Sequence, residues 1–146
     1  MNNGFDERQV YWRGRIFAHG FYMMILLNLL HSFLAGVFEI RVVEDEWLGV
    51  IIVMVVVAAC SMEMNARNVY FGFMQSKRQK LIVPIILGVC TLMMAAVLVM
   101  LVVRGSAEFI DAEGTLGSEG RTAVLMCCNA VIAGSSIWAL RRQDKV

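Results

Sequence analysis

Four long apolar runs, parted by short polar stretches, constrain this chain more than any other feature. A helix crossing a bilayer takes about 20 mostly apolar residues. The sequence offers Ile16–Phe38, broken only by His19, Asn28, His31 and Ser32, and a second run from Trp47 to Met62. Leu81–Val103 is a clean third, and Ala123–Leu140 a fourth of minimal length. The second is short by itself; Val69, Tyr70, Phe71 and Phe73 restore apolar character after a polar turn, which predicts a span of about 47–73. Val- and Ile-rich runs favour strands in water. In lipid a lone segment must satisfy its own backbone, so length decides for helices.

Composition agrees: 59% of the 146 residues are hydrophobic and 17% charged, against about 45–50% and 25% in soluble domains. A net charge of +1 argues against a nucleic-acid binder, which would show a basic face. No small-residue cleavage site follows the first run, and further runs come after it, so it reads as a retained span.

The loops orient the chain. Arg8, Arg13 and Arg15 precede the first span; Arg67, Lys77, Arg78 and Lys80 lie between the second and third; Arg141, Arg142 and Lys145 follow the fourth. Ten of the thirteen basic residues thus share one side, facing Arg41, Arg104 and Arg121 among eight acidic residues on the other. Cytoplasmic loops carry the Lys/Arg excess, which puts both termini in the cytoplasm. The expectation is an all-α, four-helix up-and-down transmembrane bundle: an interfacial helix start over residues 1–15, a transmembrane domain over 16–140 and a cytoplasmic tail over 141–146. An outer loop Glu39–Glu46 and a longer one, "RGSAEFIDAEGTLGSEGR", join the spans on the far side.

Polar residues inside spans are costly, and they mark interhelical bonds or functional sites. Asn28, His31 and Ser32 lie at i, i+3, i+4 in the first span, roughly in line with Gly20, Met24, Ala35 and Gly36. They should face the bundle interior, either as a proton- or cation-handling His oriented by Asn28 or as an interhelical hydrogen bond. In "SMEMNARN", Glu63 and Arg67 stand four apart in the order that favours an ion pair, beside Asn65 and Asn68. An unbroken helix to about Met74 would hold this group inside the membrane edge, as a vestibule or as a self-neutralised pair with Arg67 snorkelling outward. Glu63 is the best single candidate for proton coupling.

In the fourth span, "AVLMCCNAVIAGSS" contains Asn129 and a small-residue stripe, Ala123, Cys127, Ala130 and Gly134. Gly88, Thr91 and Ala95 form a counterpart in the third. Such stripes let helices approach closely, within one copy or between copies. Cys127 and Cys128, with eleven Met and two His, invite a soft-metal reading; dispersed Met and the lack of C-x-x-C argue against it, and no cofactor is expected. None of the four Cys lies in an outer loop, so a structural disulfide is not expected either. No nucleotide, hydrolase or zinc-protease motif occurs, and an enzyme is the least supported class.

Asp6 is placed to cap a helix starting at Glu7, with Gln9 at N3 and Phe5 and Val10 as the stapling pair. Tyr11 and Trp12 read as interfacial aromatics, Arg13 and Arg15 as anchors, and Gly14 as a bend. "DERQ" (Asp6–Gln9) before the first of four spans, with basic residues just after it, resembles a group of small uncharacterised integral membrane proteins of Firmicutes and related Gram-positive bacteria. That resemblance implies a bacterial plasma-membrane protein and assigns no catalytic residue. Small multidrug transporters are similar in span number, but depend on a Glu in the first span, which this chain lacks. Expected partners are the lipid bilayer, a second copy or another membrane protein. The expected role is transport-related, as a small oligomer or an accessory subunit; the alternative is a regulatory, immunity-type or scaffold protein.

Overall fold

The computed structural model describes residues 7–69, 77–105, 107–112 and 114–143, with backbone alone for 77–80 and 143. It is all-helical: α1 (Glu7–Phe38), α2 (Asp45–Ala66), α3 (Lys77–Val103) and α4 (Ser118–Gln143). Each is long and apolar enough to cross a membrane. The cap at Asp6, the staple residue Phe5, the apolar stretch 70–73 and residues 144–146 lie outside the described residues.

Helix α1 is described from Glu7 and passes through Gly14 without interruption. One glycine weakens a helix without breaking it. At about 1.5 Å per residue, its 32 residues exceed the hydrocarbon thickness of about 30 Å, so the helix overhangs the apolar layer.

The largest departure is at the end of α2, which stops at Ala66 instead of running on. Asn68 adopts the left-handed conformation, at φ 58°. Its N–H bonds the Asn65 carbonyl at 3.2 Å, and the Val69 N–H reaches back to Met64 at 2.9 Å. Asn is the residue after Gly most tolerant of that conformation. Val69 then packs on Met64 and Ile16, the hydrophobic contact that accompanies this kind of helix stop.

In space the helices form an open row. Helix α1 packs on α2, α2 on α4 and α4 on α3, and the α1 and α3 backbones do not approach each other among the described residues. The central pair is a third buried (33% of each apolar window), against 6% for α1 and α3. Glu44, beside the start of α2, pairs with Arg121 near the start of α4, so these two helices run the same way. Trp12, near the start of α1, meets Arg67 at the end of α2.

Residues 107–112 and 114–117 fold over the start of α4. Ile110 and Leu116 form an isolated antiparallel bridge, the Leu116 N–H bonds Val42 at 3.0 Å, and the Gly117 N–H bonds Phe109 at 3.1 Å. A Cβ at Gly120 would clash with the Phe109 carbonyl oxygen, and one at Gly117 with the Glu108 carbonyl oxygen. Both positions therefore need glycine.

Candidate functional site

Two of the candidate polar residues, Glu63 and Arg67, meet His19 where α1 begins and α2 ends. Glu63 receives Arg67 through Nε at 3.0 Å and Nη2 at 2.9 Å. Its other carboxylate oxygen lies 3.6 Å from His19 Nδ1. The Arg67 guanidinium stacks 3.9 Å from the Trp12 ring centroid, with Arg15 5.6 Å from the same ring. The early stop of α2 makes this possible: it leaves Arg67 at a helix end, where its long side chain folds back over α1.

Glu63 thus sits in a partly exposed cluster whose charges compensate one another; its side chain is 30% exposed, Arg67's 37% and His19's 46%. An exposed pair of this kind contributes about 0.3–0.5 kcal/mol, with about 0.5–1 from the stacked guanidinium. Neither the His19 approach nor the Trp12 stack follows from sequence spacing, because both cross between helices.

Two positions away, Asn65 faces the opposite direction. It is 1% exposed, and Nδ2 donates to Ser135 Oγ at 2.9 Å and to Ser136 Oγ at 3.2 Å. This clamp ties α2 to α4. Ser136 is fully buried, and the Asn65 Oδ1 atom has no hydrogen-bond partner. The "SS" at 135–136 was the only signal of it in the sequence.

The first-span group divides. His31 turns toward α2 and lines an apolar cavity of about 210 Å³ with Leu27, Leu34, Val43, Ile52 and Val55; its Nε2 is buried with no hydrogen-bond partner. Asn28 and Ser32 are exposed on the flank of α1. Asn28 does not orient His31 as expected; its Nδ2 donates instead to the Met24 carbonyl of its own helix at 2.8 Å. Three residues of separation turn the two side chains about 60° apart, and α2 covers only His31.

A larger groove of about 600 Å³ is walled by Arg13, Phe17, Phe21 and Met24 of α1, floored by Val57, Cys60 and Ser61 of α2 and edged by Val83 of α3. Gly20 permits the close approach at its base, since a Cβ there would meet Cys60 Sγ at 2.6 Å. The lining is overwhelmingly apolar.

Within one copy, most of the small-residue stripe on α4 faces outward. On α4, Cys127, Ala130 and Gly134 are exposed, while Cys128 and Ile132 cluster with Ala58 of α2 and Ser136 is buried. Only Ala123 of that stripe is half-buried. On α3, Gly88, Thr91 and Ala95 are half-buried, but nothing approaches the Cβ position of Gly88, and Thr91 spends its hydroxyl on the Leu87 carbonyl at 2.7 Å. Asn129 links α4 to α3, its Nδ2 3.7 Å from Met94 Sδ. Cys127 is exposed while Cys128 is buried, and no group of three or more His, Cys, Asp or Glu converges among the described residues.

No family model, curated protein or solved structure matches the chain.

Proposed function

We propose that this chain is a small accessory or regulatory membrane protein that works by contact with other helices in the bilayer, rather than by enclosing a conduit of its own. One observation carries the reading. The charged groups near the end of α2 neutralise one another, and the cavities beside them and beside His31 are apolar. A conduit for ions or polar solutes needs polar groups facing a wet cavity. Here the two are separated.

The accessory role keeps the protein transport-related, as a subunit of a larger transporter; a regulator or immunity-type protein would use the same contacts. The open row of helices supports both, because α1 and α3 each leave a long flank for a partner. An up-and-down path with both termini cytoplasmic, in a bacterial plasma membrane, is our reading of the Lys/Arg distribution and the N-terminal "DERQ".

The test is flux through vesicles containing the purified protein alone. The expected result is proton and potassium leakage equal to that of empty vesicles, unchanged by Glu63→Gln or His31→Ala. Flux in the wild type that Glu63→Gln abolishes would establish a self-contained transporter.

A further inference from the structure

Asn28 sits at the centre of the apolar stretch of α1, yet it is exposed on the surface of the molecule. Among the described residues its one hydrogen bond runs from Nδ2 to the Met24 carbonyl of its own helix. The carboxamide oxygen and the second N–H therefore point at the hydrocarbon layer without an answering group. Polar groups at that depth are expensive and drive helix association.

The surroundings of Asn28 are shaped for such association. Phe17, Phe21 and Met24 wall the apolar groove. Asn28 follows on the same ridge at the i, i+4, i+7, i+11 spacing of a helix–helix seam. Ser32 and Gly36 continue it at i+4 and i+8 from Asn28, both exposed, with nothing near the Cβ position of Gly36. The ridge is bulky over the groove, hydrogen-bonding at mid-depth and thin toward the end of α1, where another backbone can come close.

We infer that this ridge of α1 is a self-association seam and that its occupant is α1 of a second copy. Two copies inserted in the same sense are related by a two-fold axis along the membrane normal. Such a contact is isologous, so each residue on the axis faces its own equivalent. A carboxamide carries both donor and acceptor, so it complements its own copy, and Asn28 would bond Asn28 of the second copy. A lysine or a carboxylate at this position would repel its equivalent. The inference does not depend on the functional reading, since a regulator, a subunit or a transporter could each be a dimer.

The experiment measures self-association by fluorescence energy transfer between labelled full-length copies in vesicles as lipid is added. The wild type should dissociate on dilution. Asn28→Leu should weaken the dimer by about 3- to 30-fold, the range that one interhelical polar bond spans in membranes, while Asn28→Gln keeps most of it. Leu is the more apolar residue at an exposed site, so the variant should fold, and unchanged helical circular dichroism would verify this. In a cross-linking arm, Asn28→Cys should link to itself above the background of the native cysteines. Leu26→Cys, on the other exposed flank and 65% exposed itself, should not. A wild type that stays monomeric at every dilution, with or without retained phospholipid, would overturn the seam. So would Asn28→Leu associating like the wild type, or equal cross-linking from positions 26 and 28.

Discussion

The two ends of the α1–α2 contact treat their polar residues in opposite ways. Where α1 begins, Trp12, His19, Glu63 and Arg67 close on one another, and Asn65 behind them is held by two serines. Half a membrane away, His31 has a buried nitrogen with no partner, and Asn28 looks outward. The charged cluster of the first region is complete within a single copy, although the Asn65 Oδ1 atom behind it has no partner. The second is not, which is why contact with another helix is sought at α1 and not at Glu63.

The contrast rests on α1 and α2 touching closely at their paired ends, and the severest way to break it is at Gly20. Gly20→Leu drives a side chain into Cys60 and Val56 and should cost about 1–3 kcal/mol as overpacking, read as a lower midpoint of unfolding in detergent. Equal stability would show that the two helices are not in contact there. Next comes the helix stop. Asn68→Val puts a β-branched residue at φ 58° and should cost about 1–2 kcal/mol, whereas Asn68→Gly should be neutral or slightly stabilising. If both variants matched the wild type, α2 would not end at Ala66, and Arg67 would lose its path to Trp12.

Smaller effects sharpen the comparison. Asn65→Leu gives up a clamp of about 0.6–2 kcal/mol but also removes an orphaned acceptor costing about 1–3 kcal/mol. The expected net change in unfolding free energy is within about 1 kcal/mol of zero. A loss well above that would mean Oδ1 has a partner. Glu63→Gln should move stability least, by about 0.5 kcal/mol, because an exposed pair is screened; a several-fold larger loss would mark Glu63 as buried in the assembled protein.

Much of this was legible in the sequence. Helix number followed from run length, and the Glu63–Arg67 pair from spacing within one helix. What the sequence hid depends on which face of a helix is covered. Asn28 and His31 look alike as polar residues three apart, and only the placement of α2 separates them. Small residues at Cys127, Ala130 and Gly134 suggest a seam within one copy or between copies; within one copy α4 presents the neighbouring face of Cys128, Ile132 and Ser136. The stop at Asn68 was missed because the apolar residues beyond it suggested continuation. A lone Asn after a helical run is a weak signal until its left-handed φ is seen.

The most direct test of the claim that one copy holds no wet route is aqueous thiol accessibility in sealed vesicles. Val57→Cys lies on the groove floor, and Leu30→Cys lies beside His31. Both should resist charged, membrane-impermeant reagents in intact vesicles and react fully once the protein is denatured. Rapid labelling of both in intact vesicles would reveal water in both cavities and contradict the account.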